Sequence, residues 1–116
     1  MVTVGDVRSL ALSLPRSYEA QVRRCVKFRV GRVVYLAFSR DEAVMGFAFP
    51  KEEREWLIGG EPDKFMLPVT SDLRYNWVHV RLAALELAEM RELVVDAWRM
   101  VVPDRVAAAY DQGGHL

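Results

Sequence analysis

Two short stretches of this sequence carry residues that could do chemistry together. Arg23, Lys27 and Arg29 alternate with apolar residues between Val22 and Val30, and Trp77, His79 and Arg81 alternate with Val78 and Val80 between Asn76 and Leu82. Lysine and arginine neutralise phosphates, and an aromatic ring offers a platform for an unpaired base. The candidate nucleic-acid-binding set is therefore Arg23, Lys27, Arg29, Trp77 and Arg81. It forms one surface only if both stretches turn these residues to the same side of one sheet. The plainer reading is a sheet with one face packed and the other solvated, which shows the same alternation.

Catalytic alternatives are thin. Cys25 follows Arg24 and precedes Lys27 by two residues, and nearby cations favour the thiolate. A nucleophile also needs an oriented base, for which His79 is the one candidate. A base in turn needs a partner and a pocket. An inert strand thiol is the expectation. The acids Glu52, Glu53, Glu55, Glu61 and Asp63 read as a solvated helix and loop rather than a cation site. His79 and His115 are the only histidines and Cys25 the only cysteine, so neither a zinc cluster nor an internal disulfide is available. No phosphate-binding glycine loop and no Ser/His/Asp arrangement is present. No enzyme, metal or cofactor is expected.

The three tryptophans divide by context. Trp98 lies on the apolar stripe of a helix and belongs to the core. Trp77 stands opposite Val78 and Val80 in its strand and is the surface candidate. Trp56, on a charged helix, reads as a packing anchor.

The elements that must position these residues can be read from periodicity. Val4, Val7, Leu10, Ala11 and Leu14 recur at helical spacing, with Thr3 as N-cap, Asp6 near the positive end of the dipole and Pro15 as the stop. Three strands follow: Val22 to Val30, Val33 to Phe38 and Ala43 to Phe49. Arg24 interrupts the apolar side of the first. Their short connections predict an antiparallel meander. Pro50 to Ile58 reads as a helix ended by Gly59-Gly60. Phe65-Met66-Leu67 reads as a short strand, Asn76 to Leu82 as the last strand and Glu86 to Val101 as the main helix. Pro103 opens a final helix to about Tyr110, and Gly113-Gly114 begins a loose tail. The order α-β-β-β-α-β-β-α-α predicts an α+β fold in a single domain over residues 1–116. It has an antiparallel sheet of about five strands with helices on one face.

Composition bounds the rest. A chain of 116 residues, 52% hydrophobic and 28% charged, can bury a core and argues against long disorder. No secretory signal is apparent, and no apolar run approaches the roughly 20 residues of a membrane span. A cytoplasmic protein in a reducing compartment is expected. Net charge is zero, but residues 1–40 carry eight Arg/Lys against two acids, giving +6, while residues 41–63 carry two against seven, giving −5. A neutral total disfavours strong non-specific nucleic-acid binding, while the basic N-terminal third permits a local patch.

Four motifs point to a family. The strand Asn76-Trp77-Val78-His79-Val80-Arg81-Leu82 is followed by a helix carrying Ala97-Trp98-Arg99 and stopping at Pro103. Phe28-Arg29-Val30-Gly31 precedes Val33-Val34-Tyr35. Phe49-Pro50 leads into Lys51-Glu52-Glu53, and Leu14-Pro15 is followed by Glu19. From Val4 to Tyr110 the chain resembles the MmcQ/YjbR family, small bacterial proteins described as double-wing DNA-binding proteins. The resemblance implies an α+β fold of the frataxin-like or secretion-chaperone-like kind, DNA as partner and no catalytic motif. The chain departs from many relatives at Arg32-Val33, where they have a second Gly and a Lys, and at Met45-Gly46-Phe47, where they have a Lys. The second departure removes one candidate cationic contact. A protein- or small-molecule-binding module, chaperone-like or homodimeric, is the alternative, and the neutral net charge favours it.

Overall fold

In the computed structural model, which describes residues 1–113, the first helix is set by a reciprocal cap. The Thr3 hydroxyl accepts from the Asp6 N–H at 3.2 Å, and the Asp6 carboxylate accepts from the Thr3 N–H at 2.9 Å. Helix α1 (Val4–Ser13) buries Val4, Val7, Leu10 and Ala11 and stops at Leu14, ahead of Pro15. The tail expected to be loose from Gly114 onward lies outside the described residues.

The stretch expected as one strand over Val22–Val30 is the turn and second strand of a hairpin that begins at Ser17. Strand β1 (Ser17–Val22) pairs antiparallel with β2 (Cys25–Val30), and Arg23-Arg24 form the two-residue turn between them. Both turn residues have positive φ, 53° and 69°, as a hairpin turn matched to strand twist requires. Asn-Gly or Asp-Gly would announce such a turn. Two arginines do not, and each non-glycine residue in the left-handed region costs about 1–2 kcal/mol. The apparent break in alternation at Arg24 is this turn.

Gly31, at φ 60°, turns the chain into β3 (Val33–Phe38). The β2–β3 register slips between Phe28 and Arg29, so Tyr35 is an extra residue on β3. It is fully buried beside Leu36, and its hydroxyl meets that of Ser17. Burial pushes the Tyr35 phenol up to about 12. Strand β4 (Val44–Ala48) follows after a short turn. A 3-10 turn at Lys51–Glu53 then feeds helix α2 (Arg54–Gly60). Gly59 and Gly60 are the last residues of that helix, not its stop.

Strand β5 (Phe65–Met66) is very short, and β6 (Trp77–Arg81) inserts between it and β4. The sheet thus has six antiparallel strands in the order β1-β2-β3-β4-β6-β5. The α+β class and the order of the elements hold, with the hairpin supplying the additional strand. Helices α3 (Leu87–Arg99) and α4 (Asp104–Asp111) complete the chain.

Helices α1 and α3 pack together on one face of the sheet. Phe28, Leu36, Phe47, Val78 and Val80 point toward Val7, Ala11, Met90, Val94 and Ala97, and all are buried. Trp98 closes this core with no exposed surface. Its indole N–H donates to the Pro15 carbonyl at 2.8 Å, and its ring meets Tyr110 edge to face. Among the described residues, no helix is long and apolar enough to cross a membrane.

Candidate nucleic-acid interface

The other face of the sheet is the one that α1 and α3 do not pack across, and strand alternation decides which residues it shows. In β2 the core takes Val26, Phe28 and Val30, leaving Cys25, Lys27 and Arg29 on the open side. In β6 the core takes Val78 and Val80, leaving Trp77, His79 and Arg81. The register places Ala20, Lys27, Ala37, Gly46, His79 and Met66 in one row across all six strands. The two stretches singled out in the sequence therefore share one face.

Four of the five candidate residues meet there. Lys27 lies on the second strand of the sheet, between Ala20 and Ala37. Arg29 lies one step along the same strand, and its Nε is buried with no hydrogen-bond partner among the described residues. Trp77 occupies the row beside Ala48. Arg81 stands opposite Val44 at the far end of β6, exposed, with its Nε donating to the Asp63 carbonyl at 3.1 Å. Strand spacings put Arg29 and Arg81 at opposite corners, roughly 20 Å apart. Arg23 does not belong to the set. It sits in the β1–β2 turn, where positive φ removes it from the strand alternation.

The face is a trough rather than a plane, with a volume of about 650 Å³. Its floor is low because Ala37, Gly46 and Ala48 are small. Gly46 is small for a specific reason. A Cβ there would come within 2.5 Å of the Trp77 Nε1 and 2.8 Å of two further indole atoms. The Trp77 ring thus lies against the bare backbone of β4, a packing that only glycine permits.

One wall of the trough was not foreseen. Asp72, Tyr75 and Asn76, on the segment before β6, border it. That segment is held by Arg54, buried at the start of α2. The Arg54 guanidinium donates to the carbonyls of Leu73 at 2.9 Å, Tyr75 at 3.2 Å and Trp77 at 3.0 Å. Lys51 adds two more ties, its N–H to the Asn76 side chain and its ammonium to the Arg74 carbonyl. In the sequence Arg54 is one charge among many on a polar helix. Gly46 was the available signal, because a glycine inside an apolar strand marks a close approach.

His79 is half-buried. Burial lowers its pKa below the usual imidazole value, partly opposed by the charge of Asp72. Cys25 and His79 stand on β2 and β6 with two strands between them, and Cys25 lies two residues outside the row of His79, so strand spacing alone sets them more than about 14 Å apart. The thiol and the imidazole therefore do not form a nucleophile–base pair. No three His, Cys, Asp or Glu residues among those described are grouped to hold a metal ion. Trp56 is a further correction. It is 82% exposed, and Leu57 and Ile58 are the residues of α2 that pack on the core.

Several cations elsewhere are paired. Arg8 meets Glu19, Lys64 meets Glu61 and Glu89, and Arg99 meets Asp96 and Asp111. Among the described residues Lys27 and Arg29 have no carboxylate partner, so their charge is free for an anion.

Comparison with known proteins agrees with this architecture. The crystal structure of Deinococcus radiodurans protein DR2400, with a domain classed as DUF419, is similar with a TM-score of 0.75. It is 23% identical over 86% of this chain and 78% of that one, a likeness that speaks for the fold alone. No curated protein matches the chain. A family model described as YjbR matches residues 12–100, from the end of α1 through α3. The chain belongs to the YjbR family.

Proposed function

We propose that this protein is a non-catalytic DNA-binding protein that takes single-stranded DNA on the open face of its sheet. One observation carries the reading: Lys27, Arg29 and Arg81 share an uncovered face with Trp77. The cations meet phosphates, and Trp77 stacks on a base. Single strands suit the face better than duplex. A paired base offers no free ring surface, and the stacking residue lies inside a trough rather than on a ridge that could enter a groove.

Three phosphate contacts on a single strand give a slope of log affinity against log salt of about −2. Titration with short single-stranded and duplex DNA at several salt concentrations measures it. Tighter binding of the single strand with that slope supports the reading. Joint replacement of Lys27, Arg29 and Arg81 by alanine should weaken binding to all sequences alike and flatten the slope. Absence of binding at low salt overturns it.

A further inference from the structure

The trough has a second use that its shape favours independently of nucleic acid. We infer that it binds a small planar aromatic acid, with the ring over Ala37 against the Trp77 indole and the carboxylate or phosphate on Lys27.

The row of residues across the sheet sets the dimensions. Lys27 and His79 are separated by Ala37 and Gly46, hence by three strand spacings, or about 14 Å between Cα atoms. Both side chains border the trough; between them Ala37 raises only a methyl group, and the Trp77 indole lies over Gly46. The trough over Ala37 is bounded on the Gly46 side by that indole. Its volume of about 650 Å³ lies within the range of roughly 300–1,000 Å³ typical of small-molecule sites.

The chemistry of the lining is uneven in a way that selects a ligand. The floor is apolar, and Trp77 and Tyr75 supply aromatic surface beside it. Lys27 is the cation bordering the trough, without a carboxylate partner among the described residues. His79 faces it from the other wall, held toward its neutral form by burial, and offers a hydrogen bond without a second charge. Asp72, also on that wall, repels an anion there. The acid group of a bound ligand is thus directed to Lys27 and the ring away from it. A ligand with one anionic end and a flat apolar body satisfies every part of this surface. A cation or a sugar does not.

Calorimetric titration with 2-naphthoate and its neutral counterpart 2-naphthamide tests the assignment on the whole protein. Naphthoate should bind one to one and more tightly than the amide. Lys27→Met should weaken naphthoate by about tenfold, the scale of one lost charge-assisted hydrogen bond, and leave the amide unchanged. Ala37→Leu should abolish both by filling the floor, with its thermal melt checked beside the parent. Should that variant not fold, the Lys27→Met pair of titrations decides alone. Lack of saturable binding up to the millimolar range overturns the assignment, as does an unchanged naphthoate affinity in Lys27→Met. Oligonucleotide binding of Ala37→Leu separates the two uses of this face. Loss of naphthoate with DNA retained supports the trough as a distinct site. Naphthoate binding by a protein that binds no DNA overturns the nucleic-acid reading only.

Discussion

The two faces of the sheet are built from the same strands and share almost nothing else. On the covered face, the row from Phe28 through Leu36 and Phe47 to Val78 is fully buried beneath α1 and α3. On the open face, one residue along, the row from Lys27 through Ala37 and Gly46 to His79 is small, polar or charged. The first row supplies the stability, through apolar area removed from water. The second contributes little to stability and so can be shaped for a ligand. Adjacent positions on one strand thus answer to different demands.

The largest break in this division should come from the covered face. Phe47→Ala should cost about 3–5 kcal/mol, from lost transfer energy and the cavity left among Phe49, Phe65 and Val78. Urea denaturation measures it. A loss under about 1 kcal/mol would mean that the core repacks freely and that the covered face does not carry most of the stability.

Gly46→Ala tests the point where the open face carries a packing constraint of its own. The added methyl meets the indole at a distance no Cβ tolerates, so the Trp77 ring must move. The expected cost is about 1–3 kcal/mol, as for other overpacked sites. The tryptophan emission should shift as well, since Trp98 stays in the core and Trp56 is already in water. An unchanged spectrum and melting temperature would show that the ring has room to spare.

The smallest effect belongs to His79. Its folded pKa is depressed by burial below the ordinary value of 6.5. The neutral ring is therefore the form compatible with the fold. Its contribution to stability is fully present above the unfolded pKa and is lost as pH falls from there through the folded pKa. Melting temperature should decline slightly in that window, and His79→Gln should flatten the decline. A variant that keeps the full slope would assign the pH dependence to other groups.

Much of the covered face was legible in the sequence. The stripe from Val4 to Leu14, the Thr3–Asp6 cap, the alternation from Cys25 to Val30 and the placing of Trp98 in the core all follow from local spacing. Strand β1 was not legible, for two reasons. Its turn uses Arg23-Arg24 where glycine or asparagine would be recognised. Its polar Glu19, on the helix side, is matched by Arg8 from α1, a partner eleven residues away. Trp56 was misread because a short polar helix can hold itself on Leu57 and Ile58 and leave a tryptophan in water.

By itself, then, the sequence determined the kind and order of the elements other than β1 and which residues of each strand oppose one another, because caps and periodicities act over a few residues. Whether Lys27 and Trp77 share a face, which strand lies beside which, and the trough between them were decided only by the tertiary structure. Residues 29 to 37 apart become neighbours when β6 is drawn in beside β4, and that pairing depends on burying the whole covered face together. The Arg54 clamp and the fit of Trp77 on Gly46 exist only after it has formed.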